Sequence, residues 1–101
     1  MAVSSSVSDH KGVMSLSGRF DFSIHRDFRS NYESIFNAEG VNELEVNLSN
    51  VDYIDSSALG MLLLLREKAT EKNIQMKLLN PKESVRQVLE VANFGRLFTI
   101  V

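Results

Sequence analysis

Three stretches with helical spacing of apolar residues, separated by short strand patterns, constrain the fold of this chain more than any other feature. In the first stretch the apolar residues recur every three or four positions, at Ile24, Phe28, Tyr32, Ile35 and Phe36. Strand patterns precede and follow each stretch, which gives the order β-β-α-β-α-β-α-β. Strands joined through helices pair in parallel by right-handed crossovers. The sequence therefore predicts an α/β fold with a single mixed, mostly parallel β-sheet and helices mainly on one face.

Local turn signals mark the ends of several elements. Residues 3–8 are polar and rich in serine, which predicts an edge strand, and Gly12 is expected to supply a positive φ in the hairpin turn that follows. Gly18 is expected to close the second strand. Asn80 and Pro81 predict the start of the third helix, with Asn80 as its cap. A last strand is predicted over residues 97–101, and no linker or repeat interrupts the predicted single domain over residues 1–101.

Charge and residue usage narrow the class of protein. A formal net charge of -2 gives no attraction to nucleic acid or to an anionic membrane. The absence of cysteine excludes a disulfide framework and fits a reducing cytoplasm. The first residues lack the features of a signal peptide, and the longest apolar stretch is far below the roughly 20 residues that span a bilayer. We therefore expect a cytoplasmic protein that binds neither nucleic acid nor membrane.

The junction Asp55-Ser56-Ser57-Ala58 connects a strand pattern to the second helical pattern. It places a carboxylate and two hydroxyls at a helix N-terminus, where backbone N–H groups are unpaired and the partial charge is positive. Asp and Ser are preferred capping residues, and the same position accommodates a phosphate. If Asp55 caps the helix, the Ser56 hydroxyl projects outward; if Ser56 caps it, that oxygen is engaged. The sequence leaves both possibilities open.

Residue patterns typical of catalysis are missing from the sequence. All five glycines are isolated, so no phosphate-cradling loop is present. Neither His10 nor His25 has a second histidine or paired carboxylates at metal-ligand spacing, and no nucleophile motif of an acyl-transfer enzyme occurs. We therefore expect no enzymatic activity, no metal and no cofactor. The sequence supports chemistry that another protein carries out on it.

The second helical stretch is apolar around most of its circumference. A helix that packs on a sheet needs one apolar stripe, but here Leu59 and all of residues 61–65 are apolar. Leu63 falls within the widened stripe, whereas Met61 and Leu64 are left on a face that should meet water. Either the first and third helices cover these two residues, or the two form an exposed apolar patch for a partner.

Three segments carry a family resemblance. Residues 16–21 (Leu-Ser-Gly-Arg-Phe-Asp) form a strand exit, residues 46–60 contain the strand, loop and helix start around Asp55-Ser56-Ser57, and residues 93–98 form a closing segment. Together they resemble the STAS domain, the fold of bacterial anti-sigma-factor antagonists. The middle segment is specific, and the outer two are weak on their own. The resemblance covers essentially the whole chain, which we expect to end without an extra helix after the last strand.

The resemblance implies a phosphorylation site. In this family a partner kinase phosphorylates the serine directly after the signature aspartate, which is Ser56 here, and Ser57 would be its unmodified neighbour. Ala58 stands where the family usually has glycine, and we expect the site to survive with a stiffer first turn. Asp55, Ser57, Ala58 and Asp21 would surround the phosphate. The surface that docks a partner would comprise Ser56, Ala58, Leu59, Met61, Leu64 and Asp21.

The partners that the resemblance implies are proteins. They are a serine kinase that acts as an anti-sigma factor, a PP2C-type phosphatase or response regulator, and a downstream effector. The sequence leaves open whether the output is transcription, stress, motility or biofilm control. One alternative is a non-switching STAS-like subunit of a lipid-transport or stress-sensing assembly, in which Ser56 is mainly a cap. A second alternative is a nucleotide- or small-ligand-binding domain.

Overall fold

The computed structural model describes residues 2–101, which form one five-stranded sheet and three helices. The strands are β1 (Ala2–Ser8), β2 (Lys11–Phe20), β3 (Glu43–Ile54), β4 (Gln75–Leu79) and β5 (Thr99–Ile100). The helices are α1 (His25–Asn37), α2 (Ser56–Glu71) and α3 (Glu83–Val91), and short 3-10 turns lie at Phe22–Ile24 and Phe94–Arg96. The predicted order of strands and helices is confirmed. None of the helices within residues 2–101 is long and apolar enough to cross a membrane.

The strands lie in the sheet in their sequence order, β1-β2-β3-β4-β5. β1 is antiparallel to β2, and each of the other neighbouring pairs is parallel. Each parallel pair is joined through one helix. Right-handed crossovers that advance in the same direction across a sheet place their helices on the same face. The predicted fold class, a mixed and mostly parallel sheet with helices mainly on one face, is confirmed.

The core lies between the three helices and one face of the sheet. Along β3, Leu44 and Val46 are fully buried on the helix face, whereas Glu45 and Asn47 alternate with them and are half-buried on the opposite face. That opposite face carries an ion pair of 3.3 Å between Lys11 Nζ and a carboxylate oxygen of Glu45. The alternation predicted for the strands therefore separates an apolar core from a polar, open face.

Two turn positions predicted from glycine are wrong. Asp9, with φ 54°, adopts the left-handed conformation in the β1–β2 turn, and Gly12 lies inside β2. Aspartate tolerates this conformation because its short side chain forms local hydrogen bonds. Gly18 does not close β2 either. It adopts φ 82° beside a register shift within the strand, which continues to Phe20.

The predicted start of α3 is also wrong. The backbone N–H of Asn80 donates to the carbonyl of Val101, at 2.8 Å, so Asn80 remains tied to the end of the sheet with φ 54°. Pro81 therefore precedes the helix, and Lys82 is the N-cap residue, without a capping side-chain hydrogen bond. The last strand is only Thr99–Ile100, because the backbone N–H groups of Leu97 and Phe98 donate back to the Phe94 carbonyl of the 3-10 turn.

The irregular register of β2 determines where β2 and β3 end. Register shifts lie between Ser15 and Ser17 and between Gly18 and Arg19. Beyond these shifts Phe20 pairs with Ile54 in parallel. The next residues along the two strands are both aspartates, Asp21 and Asp55. The C-terminal ends of β2 and β3 therefore carry two carboxylates and the N-terminus of α2.

Gly12 allows α1 to pack closely on β2. A Cβ atom at this position would overlap the Cγ2 methyl group of Ile35, a buried residue of α1. We expect Gly12→Ala to lower the free energy of unfolding by about 1–3 kcal/mol, because a branched side chain in a packed core has little room to move. Urea denaturation measures the change. Gly95→Ala is the matched control, since a Cβ atom there has no neighbour within 4 Å; equal stability of the two variants would contradict this packing role.

Candidate functional site

The candidate site lies at the N-terminus of α2, where β2 and β3 end. Asp55 is the N-cap residue, with an extended backbone (φ -120°, ψ -176°), and its Oδ1 accepts a hydrogen bond of 3.0 Å from the backbone N–H of Ala58. The carbonyl of Asp55 also accepts the first bond of the helix, from the N–H of Leu59 at 3.1 Å. Of the two capping residues that the sequence left open, the structure has Asp55.

The two serines after the cap have different surroundings. The Ser57 hydroxyl donates to Asp55 Oδ1 at 2.7 Å, and its side chain is half-buried. The Ser56 side chain is exposed, and no side-chain hydrogen bond within residues 2–101 engages its hydroxyl. Asp55 thus binds one hydroxyl and leaves the adjacent one accessible from solvent.

Hydrogen bonds stabilise the charged form of the Asp55 carboxylate. The Ser57 hydroxyl and then the Ala58 N–H hold the pKa of Asp55 below its ordinary value, against burial and the charge of Asp21, which raise it. A carboxylate at a helix N-terminus is also stabilised by the positive end of the helix dipole. The charge that faces Ser56 from its own loop is therefore negative at neutral pH.

Asp21 is the second carboxylate of the site. It caps the 3-10 turn at Phe22–Ile24, and the Ser23 hydroxyl, followed by the Ser23 backbone N–H and Arg19, lowers its pKa. Arg19 Nε lies 3.5 Å from Asp21 Oδ2, and the Arg19 guanidinium stacks over the ring of Tyr53 at 4.1 Å. Of the predicted neighbours, Asp55 and Ser57 adjoin Ser56 in sequence, and Asp21 lies close enough to Asp55 for its charge to raise the pKa of Asp55. Arg19 is the cation that pairs with Asp21.

An exposed strip runs along α2 from Ser56. At roughly 100° per residue, Gly60, Leu63 and Leu64 project on the same side of the helix as Ser56. Leu63 is 41% exposed and Leu64 is 48% exposed. We call these four residues (Ser56, Gly60, Leu63 and Leu64) the α2 ridge. Of the two alternatives that the sequence left open for Leu64, the structure has exposure, whereas the prediction that Leu63 belongs to the inner stripe is wrong.

One side of the α2 ridge borders an apolar groove of about 170 Å³ between α2 and α1. Phe22 lies at its edge, 60% exposed, with its ring stacked on the His25 ring at a centroid distance of 4.1 Å. Met61 and Leu64 form the α2 wall of the groove. Met61 is half-buried and packs against the core, so α1 covers it in part. Of the two alternatives that the sequence left open, α1 covers Met61 in part and leaves Leu64 exposed, and together they form a groove wall.

The other side of the α2 ridge faces α3. Leu59 is half-buried there and lines a second groove, of about 330 Å³, with Val88, Val91 and Ala92. Leu59 and Met61 were both predicted to dock a partner, but they lie on opposite sides of the helix. A partner that contacts both must therefore cover the α2 ridge between them.

Ala58 does not lie on the predicted docking surface. Its side chain is 0% exposed and belongs to the core. The reason is its position on the helix, since Ala58, Leu62, Leu65 and Ala69 share the face that packs on the sheet. The inclusion of Ala58 among the docking residues is thus wrong. Its small side chain instead lets the first turn of α2 lie close to the sheet.

Sequence reasoning missed three surface residues, Phe22, Gly60 and Leu63. The inner apolar stripe of the first helical pattern begins at Ile24 and leaves out Phe22. This position outside the stripe is a sequence signal that Phe22 is exposed. Leu63 follows Ser56 by two helical turns, which places both on one side. Gly60 is a glycine inside a helical pattern, and a Cβ atom there has no neighbour within 4 Å. Packing within the fold therefore does not require glycine at position 60.

A larger groove, of about 480 Å³, lies near the other end of α2, among α2, β4 and the second 3-10 turn. Its lining includes the cationic residues Arg66, Lys77 and Arg96. The Nε of Arg66 donates to the Leu97 carbonyl at 2.8 Å, so this side chain supports the fold. Arg66 is about 15 Å along the helix from Ser56. Within residues 2–101 no group of three or more potential metal ligands comes together.

Comparisons of sequence agree with this geometry. The family model of the STAS domain matches residues 2–101. A STAS-domain containing protein of Pseudomonas aeruginosa (strain UCBPP-PA14) is 47% identical over 88 residues, which cover 87% of this chain and 85% of that protein.

Solved structures share the fold. The anti-sigma factor antagonist SpoIIAA in its unphosphorylated form has a TM-score of 0.82 at 21% identity, covering 99% of this chain and 88% of its own. The phosphorylated form of Bacillus SpoIIAA has a TM-score of 0.74 at 21% identity, over 99% of this chain and 91% of that one. An anti-sigma factor antagonist from Mycobacterium paratuberculosis has a TM-score of 0.83 at 18% identity, covering 98% and 83%. With the family match over nearly its whole length and a relative of this identity, the chain belongs to the STAS domain family.

Proposed function

We propose that this chain is a regulatory binding protein of the anti-sigma-factor antagonist type, switched by phosphorylation of Ser56. In its unmodified form it docks a protein partner, a serine kinase that acts as an anti-sigma factor or a downstream effector. Phosphorylation releases the partner, and a PP2C-type phosphatase or response regulator restores the binding form. The chain acts as the substrate of these enzymes and not as an enzyme.

The observation that carries the proposal is the difference between the two serines. The Ser56 hydroxyl is exposed and free, while the Ser57 hydroxyl is held 2.7 Å from Asp55 Oδ1. A kinase that approaches from solvent reaches Ser56 without breaking a hydrogen bond. A phosphate on Ser57 would instead lie against a carboxylate and would disrupt the cap. Ser56 is therefore the acceptor that the fold tolerates.

Charge explains how phosphate would act as a switch. A phosphoserine adds about -1.5 to -2 charges at neutral pH. The N-terminus of α2 accommodates part of this charge, so the fold is retained. A partner surface that fits the α2 ridge and meets Asp55 and Asp21 has to accept a third negative group or desolvate it. A penalty of about 3 kcal/mol weakens binding roughly a hundredfold.

The α2 ridge and its flanking grooves are the proposed docking surface. Leu63 and Leu64 offer exposed apolar area two turns from Ser56, and Phe22 extends the surface across the groove toward α1. Met61 contributes the groove wall, and Leu59 the opposite flank. A partner helix or loop laid along this strip contacts Ser56 at one end, so a charge there alters the whole contact.

Substitutions at the two serines test the proposed switch. We expect Ser56→Ala to bind the partner as tightly as the unmodified wild type, and Ser56→Asp to bind at least about tenfold more weakly, because the added carboxylate faces Asp55 and Asp21. Ser57→Ala is the matched control and should bind normally. The partner is first captured from cells with Ser56→Ala as bait, identified by mass spectrometry and purified, and titration calorimetry then gives the affinities.

Aspartate imitates phosphate imperfectly, so a chain with phosphoserine installed at position 56 completes the series. We expect it to be folded, as judged by circular dichroism, and to bind roughly a hundredfold more weakly than the unmodified chain. Equal affinity of the unmodified chain and the phosphoserine chain would refute the switch. Cells that never contain the modified chain under any condition would favour a non-switching subunit.

The cap makes stability depend on pH. Because the pKa of Asp55 is lowered by folding, its charge stabilises the fold above its ordinary pKa of about 3.9 and stops doing so as the pH falls through the lowered value. We expect Asp55→Asn, which keeps an acceptor oxygen but no charge, to be less stable than wild type at neutral pH. The difference should shrink below a pH of about 4. Urea denaturation at both pH values measures it, and a difference that does not change with pH would contradict this role of the charge.

A substitution at Gly60 is expected to change stability and partner binding in opposite directions. Glycine inside a helix costs about 1 kcal/mol relative to alanine, and nothing within the fold requires it at this position. We infer that the partner approaches the bare backbone one turn from Ser56. Gly60→Ala should raise the melting temperature and weaken partner binding, as measured by calorimetry. Gly95→Ala, which also adds a methyl group into open space away from the α2 ridge, should leave binding unchanged; undiminished binding by Gly60→Ala would remove Gly60 from the docking surface.

A further inference from the structure

β1 is an open sheet edge with unusual properties. It is a seven-residue strand that pairs with β2, and no strand within residues 2–101 covers its other edge. Natural edge strands are generally kept apart by charged residues, proline, bulges or short length. The segment Ala-Val-Ser-Ser-Ser-Val-Ser contains neither a charged residue nor proline, and its pairing with β2 runs without a register shift from Ala2 to Ser8. Another strand can therefore pair with it.

The sequence of β1 is complementary to itself. Residues 3–7, Val-Ser-Ser-Ser-Val, read the same in both directions around Ser5. A two-fold axis through Ser5 would pair Val3 with Val7, Ser4 with Ser6, and Ser5 with its own copy in an antiparallel strand pair. Such an interface uses the same surface on both subunits, which is what two-fold symmetry requires.

The side chains of β1 also suit a second copy. Val3, Ser5 and Val7 alternate onto one face, the face of α1, since the Ser5 hydroxyl donates to Asn31 Oδ1 at 2.7 Å. Val3 packs against the core, while Val7 is 40% exposed. In the symmetric pair each Val7 would lie opposite a Val3 of the other copy. Opposed β-branched side chains stabilise antiparallel pairs, and no like charges meet.

We propose that two copies of this chain associate through β1, in antiparallel register about Ser5, and join their five-stranded sheets into one continuous sheet. The contact is a single strand pair, well below the roughly 1,200 Å² of a standard interface, so the dimer is weak and exchanges readily. The α2 ridge lies over the opposite part of the sheet and stays accessible in both copies. This proposal is independent of the proposed switch.

Cysteine cross-linking tests the register, because the chain has no cysteine of its own. Opposite residues of an antiparallel pair have Cβ atoms about 4.5–5.5 Å apart, within reach of a disulfide after small adjustment. Ser5→Cys should form a disulfide-linked dimer under mild oxidation. Ser4→Cys and Ser6→Cys should each stay mostly monomeric alone and should cross-link to each other when mixed. The matched control is Ser84→Cys, an exposed serine on α3, which should not cross-link.

Sedimentation velocity gives a second measurement without cysteine. Wild type should shift from monomer toward dimer between about 10 µM and about 1 mM, in the range of a weak contact. Ser5→Lys and Ser5→Glu should each remain monomeric, since like charges then face each other, and an equimolar mixture of the two should regain the dimer.

Three results would overturn the proposal. A wild type that is monomeric at every concentration excludes the dimer. Cross-linking of equal extent in the Ser4, Ser5, Ser6 and Ser84 variants excludes the register, as does a dimer that persists in Ser5→Lys. Circular dichroism of each variant establishes that the fold is intact, so a loss of association is read as a loss of the contact.

Discussion

The site depends on the hydrogen bonds that the carboxylate of Asp55 accepts. One oxygen of this group accepts hydrogen bonds from both the Ala58 N–H and the Ser57 hydroxyl. The first bond starts α2, and the second removes one of the two adjacent hydroxyls from solvent. If Ser56 were the cap, the arrangement would reverse, with a bound Ser56 and a free Ser57. The choice of capping residue therefore decides which serine hydroxyl is accessible from solvent.

The sheet determines where that carboxylate lies. The register shifts in β2 bring Phe20 beside Ile54. The aspartates that follow then cap two different helical elements at the C-terminal ends of these strands. Both carboxylates have a lowered pKa because local donors bind their charged forms. The positive end of α2 and Arg19 balance part of this charge. A phosphate on Ser56 would add negative charge beside these groups, whereas the core below them is apolar.

The sequence was sufficient for features that arise from periodicity. The element order and the sheet class follow from alternation and helical spacing, because burial on one face enforces those patterns. Features that depend on the backbone conformation of a single residue could not be predicted from the sequence. Asp9 and Asn80 adopt positive φ where glycine or a cap was expected, since turn and sheet contacts override local preference. Ala58 was expected on the docking surface, but it lies about 200° around the helix from Ser56 and is buried.

An apolar ridge beside an accessible hydroxyl suits the reversible switch that we propose. Full burial of a leucine side chain contributes about 1.5–3 kcal/mol, and Leu63 and Leu64 are only about half exposed, so each has roughly half of that to offer a partner. The affinity gained from such a surface is moderate. The charge penalty of about 3 kcal/mol that we propose for phosphorylation is comparable with the contribution of both leucines together. Phosphorylation would therefore cancel the affinity that the two leucines provide. A larger apolar surface would bind its partner too tightly for one phosphate to release it.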